Sequence, residues 1–564
     1  MIHASDSIRH DLVVVGAGLA GLSAAIAAAD AGADAALVCK THPLRSHSGA
    51  AQGGINAAIK PDDDWRDHMY DTVKGSAWLA DQNAARVLTC EAPAAIGRLE
   101  NLGVPFTRLE DGAIAQRPFG GQRRNRTCYV ADHTGHNLLH VLYEQALRRN
   151  VPVYEELFVT RLVVEGGRCA GLVAYDLLGG RLVPFEARAV MLATGGAGRV
   201  FGQSSNALIN TGDGLALAYE AGAELEDMEF FQTHPTGLLN GILMTEGCRG
   251  EGAYLVNAQG DRFMESYAPK FMELAPRDLV ARAIQTEINE GRGFEGGYVH
   301  LDLRHLGEAK IVERLPQIRE ISIYFAGVDP VKEPIPVRPT VHYTMGGVNA
   351  DVDGRTGLPG LCAAGEAACV SVHGANRLGG NSLLDTVVFG PRAAAAAAED
   401  ASAAPEPRLP ASAVREEERR IAALLDRSGG ERPADLREAM ERTMRAAFGV
   451  FKSREGMEKG RDEIEALLER SRRLRVEDQG ARFNQNLVDA LQLASMLQVA
   501  RMNAVASLER HESRGGHFRT DFPKMDNESF FHHSIIRRGH GGQPQLDRLP
   551  VVVEDIQPEA TVKY

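Results

Sequence analysis

The residues of this 564-residue chain best suited to chemistry are imidazoles and guanidinia set in glycine-bearing segments. His47 lies in Thr41-His42-Pro43-Leu44-Arg45-Ser46-His47-Ser48-Gly49-Ala50-Ala51-Gln52-Gly53-Gly54, a Ser/Gly-rich loop that can present an imidazole nitrogen as a nucleophile. His234 stands in His234-Pro235-Thr236-Gly237, Thr245 in Thr245-Glu246-Gly247, and His342 in His342-Tyr343-Thr344-Met345-Gly346-Gly347. Arg277 follows Pro276, and Arg377 sits in Gly374-Ala375-Asn376-Arg377-Leu378-Gly379-Gly380. An arginine can grip a carboxylate bidentately, and His and Thr add directional donors. Each residue taken alone has a plainer reading: a loop histidine is usually solvated, and Pro-Arg-Asp is a good helix start.

The elements that must position these groups begin at the N-terminus. Asp11–Val15 is a short apolar run with β-branched residues and reads as a buried parallel strand. Gly16-Ala17-Gly18-Leu19-Ala20-Gly21 follows, then an Ala-rich helix to about Ala31 that stops at Gly32, then a second strand at Ala35–Val38. Gly16 permits the tight turn, Gly18 lets backbone approach a pyrophosphate, and Gly21 lets helix and strand pack closely. The helix N-terminus offers free amides and partial positive charge. Strand, glycine turn and helix in that order make a dinucleotide site. The second strand should end in Asp or Glu to bind the adenosine ribose, but the chain reads Cys39-Lys40. That argues against NAD and leaves FAD, with the ribose held another way.

Other segments complete the same domain. Val159 to Phe185 turns at Gly166-Gly167 and Gly179-Gly180, like a β-meander placed before a strand at Ala189–Leu192. Asn210-Thr211-Gly212-Asp213-Gly214 opens a helix ending near Gly222, and Gly360 to Glu366 is a further strand ending in Gly and an acid. The alanine run Ala393–Ala398 continues a helix after Arg377. The nucleotide domain is therefore discontinuous, with an insertion between about Phe230 and Pro339. Asp400–Pro410 reads as a linker. Leu436, Met440, Met444 and Phe448 form a core stripe at helical spacing, and Asp462–Leu474 and Asn486–Leu508 read as further helices of a bundle. His532, His533 and His540 lack ligand-spaced partners and read as a solvated tail, so no metal site is expected.

Composition bounds the possibilities. The charge of 62 basic against 75 acidic residues, −13, carries no nucleic-acid footprint. The seven cysteines form no CxxC pairs, which suggests neither a disulfide framework nor an iron–sulfur or zinc site, and a reducing compartment. About ten polar residues precede the first strand, too few for a signal peptide, and no apolar run reaches membrane-spanning length.

The motifs RSHSGAAQGG, TGDG, HPTG, TEGCRGEG, PRD, HYTMGG, AGEAACVSVHGANRLGGNSL and HESRGGH occur in that order, and the chain resembles the flavoprotein subunits of succinate dehydrogenase and fumarate reductase from Asp11 to about Asp526. The resemblance implies an α/β fold: a Rossmann-like FAD domain (1–229 and 341–400), an inserted α+β capping domain (230–340), a helical domain (411–515) and a small C-terminal domain (516–564). It implies FAD bonded covalently through His47 rather than His42, which should make the flavin a better oxidant. It implies that His234, Thr245, His342 and Arg377 bind a four-carbon dicarboxylate, with Phe119 covering it. Arg277 matches the family's proton acceptor, and Glu246 and Arg249 match relay partners connecting it to solvent. An arginine can take that role only in a dry site crowded with cations, since its pKa is normally above about 12. Gly16, Gly18, Gly21, Lys40, Ser46, Gln52, Gly53, Gly54, Asp213, Glu366, Ser382 and Leu383 match FAD-site positions, Glu366 being expected to supply the ribose contact that Lys40 cannot. The basic stretch Gln122–Thr127 departs from many relatives, leaving its loop shape and a partner contact open.

The resemblance further implies succinate–fumarate interconversion, with electrons passed to an iron–sulfur subunit and then to quinone in membrane anchor subunits. Location would be cytoplasmic, peripheral on the inner face of a bacterial or archaeal membrane. Gln52 leans toward the dehydrogenase direction over the fumarate reductase direction. Two other readings are an L-aspartate oxidase-like soluble flavoenzyme, against which His47 argues, and a catalytically silent electron-transfer or assembly subunit, against which the intact His, Thr and Arg set argues.

Overall fold

The computed structural model describes residues 3–560. Strand β1 (Ile8–Val15) is wholly inaccessible at Leu12, Val13 and Val14, as a central parallel strand must be. Helix α1 (Leu19–Asp30) follows, and Gly32 at φ +78° ends it. Gly21 is needed for packing, because a Cβ there would lie against the carbonyl oxygen of Gly16, itself at φ +107°. Strand β2 (Ala35–Val38) pairs in parallel with β1 from Leu12↔Ala35 to Val15↔Val38, and β3 (Val153–Tyr154) adds beyond it.

Strands β4 (Leu157–Glu165), β5 (Arg168–Asp176) and β6 (Arg181–Leu192) form the expected antiparallel meander. The anticipated separate strand at Ala189–Leu192 is the second half of β6: no turn residue interrupts Phe185 to Ala189, and the strand runs on beside β1 with Ile8↔Phe185 and Val15↔Leu192 in register. Helix α2 (Asp213–Ala221) lies between Gly212 and Gly222, both left-handed, and the short β7 (Leu225–Glu226) leads to the insertion.

The insertion is α+β. It contains β8 (Phe231–Gly237), α3 (Glu246–Gly250), β9 (Tyr254–Val256), α4 (Arg277–Asn289), β10 (Val299–Asp302), α5 (Pro316–Ala326) and β11 (Ile335–Thr344). The antiparallel sheet order is β8-β11-β10-β9, over a separate core that includes Leu255, Ile284, Leu301 and Val337.

The chain then returns to the first domain. After β12 (Gly347–Asn349), β13 (Leu361–Ala363) pairs in parallel with β6 at Val190–Leu192, and β14 (Ala368–Cys369) pairs with β12. Helix α6 (Asn381–Ser402) packs on α1. Gly390 allows that approach, since a Cβ there would be 2.7 Å from the carbonyl oxygen of Ala20. Helix α6 thus takes the first residues of the expected linker.

Helices α7 (Ala411–Leu425), α8 (Pro433–Phe448), α9 (Arg454–Ser471) and α10 (Gln485–Glu509) form the bundle. The stripe Leu436, Met440, Met444 and Phe448 is buried. Helix α9 begins eight residues before the expected Asp462, because the Ser453 hydroxyl accepts the Gly456 amide and caps it there.

The C-terminal reading needs the largest correction. His532 and His533 belong to β15 (His532–Arg538), which pairs with β7 and with β16 (Pro544–Pro550). His533 is fully buried among Asp81, Glu226 and Asp227, at 3.1, 3.3 and 2.7 Å. Those acids come from two parts of the chain, both distant from His533, so local spacing could not reveal them. His540 lies in an exposed turn.

Candidate active site

The first element to shape the site is the N-terminus of α1. Gly18 precedes it without a side-chain cap, and the Leu19 amide is met at 3.2 Å by the Ser48 hydroxyl. The Ser/Gly loop therefore folds back over the helix end. Gly18 is hemmed by the Ser46 and Ser48 hydroxyls, which would lie 3.0 and 3.2 Å from a Cβ. A second helix N-terminus, that of α6, arrives with Gly380 at φ +85° and brings Ser382 and Leu383 to the same cavity. Two helix ends with free amides form an anion cradle.

One elongated cavity runs from Lys40 at the end of β2, past Gly16 and Gly18, to His47, His234, Arg277 and Arg377. Gln52, Gly53 and Gly54 line it. Lys40 and Thr211 both hold one oxygen of Asp213, while the other Asp213 oxygen is buried without a partner. The Gln52 side-chain Oε1 is likewise orphaned, while its backbone carbonyl accepts from Arg117. The unsatisfied Asp213 oxygen at one end and free amides in the middle fit a dinucleotide with a hydroxylated ribose and a pyrophosphate. Glu366 is not at that ribose end. It follows β13, and strand order separates β13 from β2 by β6 and β1, on the order of 14 Å. Burial raises its pKa to about 7, and it accepts the Thr344 amide.

At the other end the Ala207 amide donates to His47 Nδ1 at 3.2 Å, and Asn206 Nδ2 lies 3.2 Å from Nε2. Burial, then the charge of Arg199, lowers its pKa to about 4. A neutral imidazole with a lone pair is the nucleophilic form.

His234 and His342 sit with ring centres 5.2 Å apart. The Thr236 amide donates to His234 Nδ1 at 3.2 Å, which leaves Nε2 as the protonated nitrogen, buried and without a partner. His342 Nδ1 meets the Ser205 hydroxyl at 2.7 Å. Burial and then Arg277 hold both histidines far below their usual pKa. The Thr245 oxygen caps α3 by accepting the Gly247 amide, so its hydrogen is free to point into the cavity. Arg377 lies 4.4 Å over the Tyr343 ring, its Nε is unsatisfied, and burial and then Arg277 lower its pKa to about 9. Phe119 is buried against Gly53 and Gly379, where Cβ atoms would strike its ring.

Arg277 opens α4, so the helix-start reading and the chemical reading are both true of it. Its Nε donates to Glu246 Oε2 at 2.7 Å. Burial opposes ionisation of Glu246, but Arg277, Arg249 and the 2.6 Å Gly120 amide bond outweigh it, and its pKa falls below the usual range. Arg249 stands 3.9 Å from Glu246. The expected outlet to solvent is not open here: Arg249 is only 2% exposed, its Nη1 donates to the Glu273 carbonyl, and its other nitrogens lack partners.

Residue patterns alone missed Gln232. Its Oε1 accepts from Arg277 Nη1 at 3.0 Å and Arg377 Nη2 at 3.2 Å, holding the two guanidinia in one geometry. Its position two before His234 on a strand was the available signal. Asn206, joining His47 to the His342 carbonyl, had no such signal. The basic stretch is tied internally: Arg123 pairs with Asp67 and Asp71, and buried Arg126 pairs with Asp63 and Asp71.

A family model described as "FAD binding domain" matches residues 11–383, and one described as "Fumarate reductase flavoprotein C-term" matches residues 437–563. The chain is 46% identical over 568 residues to a fumarate reductase flavoprotein subunit of Mycobacterium tuberculosis, covering 97% of each. It is 45% identical over 575 residues to a succinate dehydrogenase flavoprotein subunit of Rickettsia bellii, covering 98% of this chain and 96% of that one. A solved structure of mutant E. coli quinol fumarate reductase FrdA superposes with a TM-score of 0.96 at 41% identity, covering 99% of this chain and 100% of that one.

Proposed function

Since the chain belongs to the flavoprotein family of succinate dehydrogenase and fumarate reductase, we propose that it is the FAD-dependent subunit that interconverts succinate and fumarate, working in the dehydrogenase direction. The observation that carries this reading is the single cavity joining a dinucleotide cradle to a cluster of unpartnered cationic and donor groups. Bound FAD supplies the acceptor for two electrons from a saturated diacid.

In this reading Arg377 grips one carboxylate, and His234 Nε2, His342 and the Thr245 hydroxyl grip the other and fix its orientation. Phe119 excludes water from one side. Arg277 takes the proton from a substrate carbon at its outer nitrogens and passes it through Nε to Glu246 Oε2, with Arg249 next in line. Glu246 is held ionised by its arginines and so is ready to accept. Arg277 stands beside the buried Arg249 and Arg377, both lowered in pKa by burial first, and this is the dry, cation-crowded setting an arginine base requires. His47 carries the flavin covalently. Residues 230–340 close over the diacid as a cap.

No helix among the described residues is long and apolar enough to cross a membrane. Electrons leave through an iron–sulfur partner subunit toward quinone in a membrane anchor, with the chain peripheral on the inner face of the cell membrane.

Acid precipitation tests the attachment: yellow fluorescence should stay with the wild-type polypeptide and be lost in His47→Ala. Dye reduction by succinate, inhibited by malonate, tests the substrate. Dye reduction by aspartate and not by succinate would falsify the assignment.

A further inference from the structure

Behind the strand pair that carries His234 and His342 lies a second cavity, of about 290 Å³. In that pair Thr233 faces Val341 and His234 faces Thr340. Neighbouring residues of a strand point to opposite faces. His234 and His342 therefore line the first cavity, while Thr233, Pro339 and Val341 line the second. The second cavity lies where three parts of the chain meet: the cap at Gln285 and Arg338, the first domain at Phe201 and Gln203, and the bundle at Arg445.

Its charge is one-sided. Arg338, on β11, donates Nη2 to the Leu239 carbonyl, and Arg445, on α8, donates Nη1 to the Phe201 carbonyl. Neither bond neutralises a charge. Arg199 and Arg437 stand close behind, with Glu441 beside Arg199 and Arg445, and Asp489 beside Arg437. Glu441 is engaged by Arg437 at 3.0 Å. The Arg445 guanidinium and the Glu441 carboxylate both pack on Gly202, where a Cβ would collide with either. Two donors are left buried with no partner at all: Arg338 Nε and Gln203 Nε2. Burial and the like charge of Arg445 lower the pKa of Arg338. Two guanidinia held against their repulsion, with orphaned donors between the same walls, form an incomplete coordination set for an anion.

We propose that this cleft binds a small dianionic oxyanion, held by Arg338 from the cap and Arg445 from the bundle, with the Gln203 amide as a neutral donor. Fork-shaped guanidinium recognition suits phosphate-type ions and dicarboxylates alike. The bound ion bridges cap and bundle and braces β11 four residues from His342. The site is separate from the diacid cluster and needs no redox chemistry.

Calorimetric titration of the purified holoenzyme with inorganic phosphate tests this, at an ionic strength fixed with chloride. One site per chain is expected, weakened roughly tenfold or more in Arg445→Gln, as loss of a charge-assisted hydrogen bond implies. Arg445 is exposed, so its replacement should leave the fold intact; Arg338→Gln is the second variant, and ligand-free melting checks both. Malonate separates the two ion types. A second malonate equivalent, lost in Arg445→Gln and kept in Arg377→Gln, assigns the cleft to dicarboxylates; phosphate binding beside a single malonate equivalent assigns it to phosphate-type ions. No saturable binding of either beyond chloride, or equal affinities in wild type and both variants, overturns the proposal.

Discussion

Arg277 and Arg377 repel one another, and what keeps them in register is a neutral carbonyl. Gln232 Oε1 accepts a hydrogen from each, and its amide nitrogen is anchored by Asn376 and the Arg377 carbonyl. Hydrogen bonds to charged groups are worth about 1.5–3 kcal/mol each. Gln232→Leu conserves volume but removes this clamp, and should lower kcat roughly 10- to 100-fold. KM should change less, because the His234, Thr245, His342 and Arg377 side chains themselves remain. Unchanged kcat, with flavin content and melting also unchanged, would show that the clamp has no positioning role. His47 obeys the same logic at a single residue: its pKa is lowered by burial and then by the charge of Arg199, and its Nδ1 accepts from the Ala207 amide, and neither Arg199 nor Ala207 lies near it in sequence.

At the scale of elements, two strand pairs carry the function. The β8–β11 pair presents His234 and His342 on one face and the second cavity on the other. The β7–β15 pair ties the C-terminal segment to the first domain, and His533 is its rivet. Burial works against charging His533, but Asp227, Glu226 and Asp81 outweigh it and raise its pKa well above the usual value. A base whose folded pKa is raised stabilises fully below its unfolded value of about 6.5 and loses that contribution as pH rises through the folded value. His533→Gln leaves the buried Asp227, and the half-buried Asp81 beside it, with no cation and should cost about 3–5 kcal/mol at pH 7. Glu226, raised to about 8 by burial first and with Asp227 adding to it, is already largely protonated at pH 7, so acidification to pH 5.5 should restore little of the loss. The measurement is thermal melting of the variant at pH 7 and pH 5.5, with proteolysis reporting release of β15 and β16. A variant as stable as wild type at pH 7 rules the rivet out.

Across the whole molecule, buried titratable groups set the acid limit. His47, His68, His234, His342, His373, His517 and His532 all have lowered pKa values, burial being the first cause in each, and His68 falls to about 3. For such a base the unfolded chain binds more protons below about 6.5, so stability falls there by about 1.4 kcal/mol per pH unit per histidine. Glu226, Glu229 and Glu366 are raised by burial and act oppositely between their folded values and about 4.5. The lowered histidines outnumber these raised glutamates, so stability should decline between pH 6.5 and 4.5. Below 4.5 the glutamates no longer compensate and the decline should steepen. Melting temperature measured across pH 3.5–7 checks this; a rise on going from pH 6.5 to 4.5 contradicts it.

The parts of this protein that rest on local backbone geometry were legible in the chain. The strand, glycine turn and helix from Ile8 to Asp30, the β2 strand, the helix between Gly212 and Gly222 and the core stripe of α8 all follow from short-range sterics and periodicity. The motif series was enough to identify the family. Tertiary structure decided what depends on distant segments meeting. It fused the meander with β6, moved Glu366 three strands away from Lys40, drew His533 out of an expected tail into a buried acidic pocket, and set Gln232 between two arginines. The physical reason is one of range: steric and hydrogen-bond preferences act over a few residues, whereas charge pairing and burial depend on which remote segments the sheet order brings side by side.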